Sequence, residues 1–444
     1  MMKRVILEFI IIIILSNCTI QKTPITTFTT SPISSLSTQS VEAAKTAYVM
    51  QKSESPTSLP STTSPIKETI TPRPIYTITP AETQTPPLAA QLEFKCINEI
   101  SEPETGTYTG TIVLGGYNEK PTYIFDLATW TMKSIDEDQI SSRTTFVTIS
   151  PNNNWLAFKK YGIDVMVVRG LSKRTSIDLA WKPEWFSIGG WLSNDYLLIY
   201  LNENSYLAYN PFTGYQFKLN NDYPDVQEPI GIGADWWGPV YSPSLTRVIF
   251  PAIGDKIVLW NTQMNQPITT LDSGGGQPFG GDKPVWSPDG SEFIISYQPA
   301  ELNLYAFHNE LYKITADGEE SRITNLGAFY KESTTQRDYS WSPDGSRIAF
   351  WSIHQLNTKV ESEQRLAILD LADMKIKEYC STIQGYITTD PPVWSPDGKL
   401  IVVKAWINDN MSEQRYRGIV LIDLQTNVYY PIIKEDYRLA GWMK

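Results

Sequence analysis

Trp286-Ser287-Pro288-Asp289-Gly290 recurs as Trp341-Ser342-Pro343-Asp344-Gly345 and again as Trp394-Ser395-Pro396-Asp397-Gly398. Each copy runs into an apolar stretch: Phe293-Ile294-Ile295, Ile348-Ala349-Phe350 and Leu400-Ile401-Val402-Val403. Fainter copies stand upstream, Ser150-Pro151-Asn152-Asn153 before Trp155-Leu156-Ala157-Phe158 and Tyr241-Ser242-Pro243 before Val248-Ile249-Phe250. The residue types are those of a tight hairpin: Pro presets φ, Asp bonds neighbouring backbone, and Gly takes the φ > 0 position. A return at intervals of roughly 40 to 55 residues marks a repeat architecture.

Each repeat reads as four short strands. In the last complete one, Pro392-Val393-Trp394 is the first, residues 400–406 the second, 418–424 the third and 428–433 the fourth. The third strands rhyme as well: Tyr123-Ile124-Phe125-Asp126-Leu127, Leu366-Ala367-Ile368-Leu369-Asp370-Leu371 and Val420-Leu421-Ile422-Asp423-Leu424. An aromatic content of 12%, with 14 Trp and 24 Tyr, suits sheets packed face to face.

With W-S-P-D-G followed by an I-A-F-like strand, the chain resembles the TolB-type, WD-like β-propeller repeat over residues 105–444. The resemblance implies a ring of four-stranded blades around a channel, and contact with envelope proteins. TolB carries a separate N-terminal domain where this chain has low-complexity sequence, so its partners do not transfer, and fold analogy is not function.

Alignment on the Trp position gives Ile149, Trp191, Tyr241, Trp286, Trp341, Trp394 and Trp442. Before the first lies a partial unit, residues 109–135, without a first strand. After the last, Leu439-Ala440-Gly441-Trp442 is a first strand with nothing following. Joined, the two fragments make one blade. The expectation is an all-β, seven-bladed propeller over residues 91–444, closed by the C-terminal strand so that no edge is left open at the seam.

The first 90 residues read differently. Lys3 and Arg4 precede an apolar run from Val5 to Leu15, the layout of a signal peptide over residues 1–17 and too short to span a bilayer as a helix. Leu15-Ser16-Asn17-Cys18 resembles a bacterial lipobox, which implies lipid on Cys18; Asn17 and Glu8 depart from that pattern. From there to residue 90 about half of the residues are Ser, Thr or Pro, a composition that cannot repay the entropy of ordering and reads as a disordered stalk. Anchor, stalk and head together describe an exported, membrane-tethered protein of the bacterial envelope, facing the outside or the periplasm.

The balance of 37 basic against 48 acidic residues, net −11, argues against nucleic acid as a partner. Two His, His308 and His354, form no metal-ligand spacing, and there is no G-x-S-x-G elbow, so neither cofactor nor metal is expected. Of the three Cys, Cys96 and Cys380 are candidates for a disulfide tying Leu92-Glu93-Phe94-Lys95 to the outer part of the sixth complete repeat. Two independent thiols are the alternative.

The Trp of each W-S-P-D-G is read as inter-blade packing rather than as a binding site. Candidate binding residues fall instead on loops at the channel mouth. They are Trp181, Trp185, Trp236 and Trp237 between blades, and Arg365 and Arg415 in the twin tetrads Ser362-Glu363-Gln364-Arg365 and Ser412-Glu413-Gln414-Arg415. Asp235, Asp282, Asp338, Asp390 and Asp436 each precede an aligned aromatic, so an acidic mouth with mutually raised pKa values is a further expectation, against plain turn capping. The reading is a monomeric, non-catalytic module binding an envelope or extracellular protein or a glycan. The rival is a carbohydrate-active enzyme, a lyase or glycosidase with its site at the channel mouth.

Overall fold

The computed structural model describes residues 91–443 apart from 101, 116–121, 136–143, 161–164, 171–175, 180–185, 203–204, 220–238, 253–255, 273–282, 298–308, 331–333, 356–361, 381–382, 385–389 and 409–414. Its strands form seven sheets in which consecutive strands are neighbours, joined antiparallel, and the molecule is a seven-bladed β-propeller. Counting from the first complete repeat, the innermost strands of blades 1 to 6 are Thr144–Ile149, Ser187–Trp191, Val240–Tyr241, Val285–Trp286, Thr334–Trp341 and Val393–Trp394. Blade 7 is assembled from both ends of the domain. Its inner strand Arg438–Met443 pairs with Thr111–Gly115, placing Ile112 opposite Trp442, and Tyr123–Asp126 and Thr131–Ser134 complete it.

The repeated phrase forms the same turn each time. Ser287 Oγ donates to Asp289 Oδ1 at 2.6 Å and accepts the Glu292 N–H, while Gly290 turns at φ +73°. The same bonds recur at Ser342 and Asp344 and at Ser395 and Asp397. In blade 1, Asn152 replaces Asp as acceptor for Ser150 Oγ at 2.7 Å, and Asn153 takes the left-handed position at φ +61°. Blade 3 places Leu245 there at φ +61°, a conformation that costs a non-glycine residue roughly 1–2 kcal/mol.

Blades are joined by apolar layers and by one repeated polar bond. Seven buried clusters each span one blade interface, the last joining Val113 and Met443 of blade 7 to Val147, Leu156 and Phe158 of blade 1. The indole N–H of Trp286 donates to the carbonyl of Val240, that of Trp341 to Val285 at 3.0 Å, and that of Trp394 to Ser340. Each Trp therefore binds the residue just before the aligned aromatic of the preceding blade.

Two blades are wider than the four strands expected. The entry segment Gln91–Cys96 adds a fifth, parallel strand to the outside of blade 5, with Phe94 opposite Glu378 and Cys96 opposite Cys380. Asn98–Glu99 then adds a parallel strand to the outside of blade 6, where Tyr429 Oη donates to Glu99. Between them Ile97 is buried in the layer that joins the two blades. Cys380 thus lies on the outer strand of blade 5, one blade earlier than the sequence reading placed it. Blade 6 also receives Ile383–Gln384 against the far end of its second strand. The tetrad at 362–365 is not a loop. In blade 5, Arg347–Gln355 pairs with Ser362–Asp370, and in blade 6 Leu400–Asn408 pairs with Arg415–Asp423, so nine-residue strands absorb the extra length. Both Arg365 and Arg415 stand on strands for this reason.

Trp442 is 3% exposed at the seam. Trp442→Ala is expected to destabilise the domain by about 3–5 kcal/mol, and deletion of residues 437–444 by more, because it also uncovers the edge of Thr111–Gly115. Thermal melting of the three proteins checks it; a deletion variant melting with the parent would show that the seam is not held by this strand.

Candidate functional site

The inner strands of blades 2, 3 and 4 and the turns beside them line an open cavity of about 570 Å³, within the size range of small-ligand sites. Its wall combines Trp191, Tyr241 and Trp286 with Asn194, Asp195 and Lys283. The strand of blade 2 is shaped by two glycines. A β-carbon on Gly189 would stand 2.6 Å from the Tyr200 ring, and Gly190, at φ +126°, forms a bulge before Trp191. Downstream of that bulge the Trp191 indole nitrogen is buried with no hydrogen-bond partner, unlike its equivalents in blades 4, 5 and 6. Lys283 reaches solvent but is crowded by the surrounding chain, and that desolvation pushes its ammonium below the ordinary lysine value. The cavity therefore offers aromatic faces on inner strands, a cation of lowered basicity just before the strand of blade 4, and a carboxylate and an amide on the turn after the strand of blade 2. Sequence reasoning assigned Trp286 to packing, and it does pack; what it missed is the concavity beside it.

Of the candidate residues read from sequence, Cys18, Trp181, Trp185, Trp236, Trp237, Asp235 and Asp282 lie outside the described residues. Asp338 sits in a bulge of the inner strand of blade 5, at φ +51°. Asp390 and Asp436 come together at the junction of blades 6 and 7, but not as repelling free carboxylates. Burial raises the pKa of Asp390, the Leu439 N–H at 2.9 Å opposes the rise, and Asp436 is the smallest contributor. Asp436 moves the other way: burial pushes it up, but Lys404 at 2.8 Å and Arg417 at 2.9 Å outweigh this and hold it below the ordinary value. The expected mutual elevation is therefore corrected at Asp436, because two cations were missing from the sequence argument. Arg365 pairs with Glu363 at 2.8 Å and with Glu378 at 3.4 Å, and its guanidinium lies 5.5 Å from the Phe94 ring centre. Arg415 opens the third strand of blade 6, opposite Asn408. Cys96 is disulfide-bonded.

A Ser, a His and a Glu meet in blade 5. Ser352, His354 and Glu378 are each at most 1% exposed. Ser352 Oγ is 3.0 Å from His354 Nε2, and Glu378 Oε1 is 3.4 Å from that same nitrogen. A catalytic triad needs the acid and the nucleophile on opposite ring nitrogens, with the hydroxyl open to substrate. Here His354 Nδ1 has no partner and the serine is sealed, so the trio is built for packing rather than acyl transfer. Tyr330 Oη donates to Glu378 at 2.6 Å from the connection between blades 4 and 5. The signal for this cluster was present: Ser352 and His354 continue the face of Phe350 at period two, a polar end on an apolar strand. Among the described residues no group of three or more His, Cys, Asp or Glu is arranged to hold a metal ion, and no helix is long and apolar enough to cross a membrane.

No protein-family model matches the sequence, and no curated protein matches it. The fold resembles many solved structures. TolB from Acinetobacter baumannii is 11% identical with a TM-score of 0.39, over 81% of this chain and 98% of that one. Oligogalacturonate lyase in complex with manganese is 11% identical with a TM-score of 0.44, over 76% and 87%. Hydrazine synthase of Kuenenia stuttgartiensis is 14% identical with a TM-score of 0.36, over 63% and 76%. At these identities the likeness is one of fold.

Burial pushes the Glu378 pKa up, but hydrogen bonds from His354 and Tyr330 outweigh it and leave the carboxyl below its ordinary 4.5. The folded state thus holds fewer protons than the unfolded chain across this titration. Its stabilising contribution is present above pH 4.5 and is lost as pH falls through the lower folded value. Glu378→Ala, which leaves the Tyr330 hydroxyl without its acceptor while Arg365 keeps Glu363, is expected to destabilise the domain by about 1–3 kcal/mol at neutral pH and to flatten the loss of stability on acidification. Calorimetric melting between neutral and acid pH checks both; a variant with the parent's slope would show that Glu378 does not titrate with unfolding.

Proposed function

We propose that this protein is an extracytoplasmic lipoprotein of a bacterial envelope whose propeller binds a protein or glycan ligand in the cavity lined by blades 2 to 4. The observation that carries the reading is that cavity: about 570 Å³ of space walled by Trp191, Tyr241 and Trp286, with Asn194, Asp195 and Lys283 able to orient a polar ligand. Trp286 is tied to Val240, beside Tyr241, so that part of the wall is preorganised and little ordering entropy opposes binding against it. The absence of an accessible nucleophile in the Ser352 cluster favours binding over turnover by that group.

Export and anchoring rest on the sequence: the basic and apolar leader, Cys18 in a lipobox-like context, and the Ser/Thr/Pro-rich stalk. Intact-mass analysis of membrane-extracted protein should find Cys18 as a lipidated N-terminus, and Cys18→Ser should release the head with its melting temperature unchanged. Cleavage at another residue would sink the anchor. Cys380 is the proposed partner of Cys96, being opposite it in the parallel register. Peptide mapping without reduction should recover the two in one cross-linked fragment.

For the cavity itself, the measurement is calorimetric titration of the full propeller with oligosaccharide and peptide panels, alongside assays for turnover of the same sugars. Lys283→Ala and Asp195→Ala should each weaken whatever binds by about tenfold without lowering the melting temperature. Undiminished affinity in both variants would move the site elsewhere, and turnover would replace the binding module with an enzyme.

A further inference from the structure

The hairpin turns between first and second strands and between third and fourth strands emerge on one face of a propeller. On that face blades 1 and 2 bring together features that neither packing nor the cavity explains. Phe212, at the tip of the outer hairpin of blade 2, is 37% exposed and Tyr215 beside it is 60% exposed. Phe212 is held in place rather than dangling: its ring centre is 4.8 Å from Trp155 of blade 1 and 6.4 Å from Trp191, nearly parallel to the latter at 26°. Tyr215 rests 6.0 Å from Phe217. Phe217 packs in the layer toward blade 3, so Tyr215 leans to that side, and the platform on the blade 1 side is Phe212 over Trp155 and Trp191.

Amides surround it. Asn152 Oδ1 accepts from Ser150 Oγ and from the Asn154 N–H, Asn194 Oδ1 accepts the Asn152 N–H at 2.8 Å, and Asn210 Oδ1 accepts the N–H groups of Phe212 and Thr213. In all three residues the carbonyl oxygen fastens a turn, so the Nδ2 group is fixed in direction and has no partner among the described residues. Asn194 and Asp195, both exposed, also line the cavity, so platform and cavity share a border at Trp191.

We infer that this turn face of blades 1 and 2 binds a non-anionic glycan, which runs from the platform at Phe212 across Trp191 toward the cavity. A pyranose ring has one face of C–H groups, which stacks on aromatic carbon, and a rim of hydroxyls. Uncommitted amide donors match hydroxyl oxygens, and the Asp195 carboxylate accepts from hydroxyl or amino groups. Charge selects within the class: a net −11 and the Asp195 carboxylate beside Trp191 disfavour a polyanion there, while Lys283 stands at the cavity end of the path. This inference rests on the binding-module reading and names the ligand class and a second contact surface.

The test uses the full propeller with chitohexaose, cellohexaose and mannohexaose, and hexagalacturonate as the anionic control, read by indole fluorescence and calorimetry. Trp155 and Trp191 flank the platform, so binding there should change the indole emission. Phe212→Ala, which removes a ring 37% exposed, should remain folded with only a small fall in melting temperature and lose about tenfold or more in affinity for a neutral or amino oligosaccharide. If none of the three binds at millimolar concentration, or only hexagalacturonate does, the inference falls. If a sugar binds Phe212→Ala undiminished but is lost by Lys283→Ala, the inference falls while the cavity reading stands.

Discussion

An indole N–H reaching backwards to a neighbouring blade's carbonyl organises this ring. Trp286, Trp341 and Trp394 each donate to the residue immediately before the corresponding aromatic of the preceding blade. The bond sets the height of one blade on the last, which apolar layers alone would leave free to slide, and it does so at the inner strand, where the blades converge. The hairpin directly after each Trp must then be short and reproducible, which explains why Ser, Pro, Asp and Gly follow as a unit. The bond is missing at Trp191, where the Gly189-Gly190 bulge shifts the strand and leaves the indole nitrogen buried without a partner. An unpaired buried donor costs roughly 1–3 kcal/mol, so the structure tolerates a defect there. The cavity borders that residue.

What was legible in the sequence was whatever the repeat enforces locally. The hairpins, the apolar second strands, and the third strands ending in Asp126, Asp370 and Asp423 all follow from turn chemistry and strand periodicity within one unit. Even the seam was legible, because an orphan inner strand at Trp442 and a unit lacking one imply each other. The weak copies worked because Asn153 and Leu245 adopt the conformation that Gly holds elsewhere.

The parts that could not be read depend on partners remote in sequence. Nothing in Gln91–Cys96 announces a parallel strand; its pairing is fixed by the exposed outer edge of Lys375–Cys380, nearly the whole domain away. Likewise the direction of the Asp436 titration is set by Lys404 and Arg417, from two other strands of blade 6. The tetrad containing Arg365 looked like a loop because polar residues there suggested solvent, whereas Glu378 and Phe94 provide it with partners across the sheet. The Phe212 platform escaped notice for the opposite reason: a single aromatic hairpin tip is unremarkable until Trp155 from the preceding blade is placed behind it.

The entry strap also gives the domain a direction in which it can be pulled. Gln91–Cys96 lies parallel to the outer strand of blade 5 with six residues in register, and Ile97 and Glu99 carry the grip across to blade 6. Tension applied upstream of Gln91 along that strand loads all six pairs together, as shear, rather than peeling them one at a time. The load enters at the rim of two blades, far from the inner strands of blades 2 to 4. Such a load enters through outer strands, whereas the cavity is lined by inner strands and the turns that follow them.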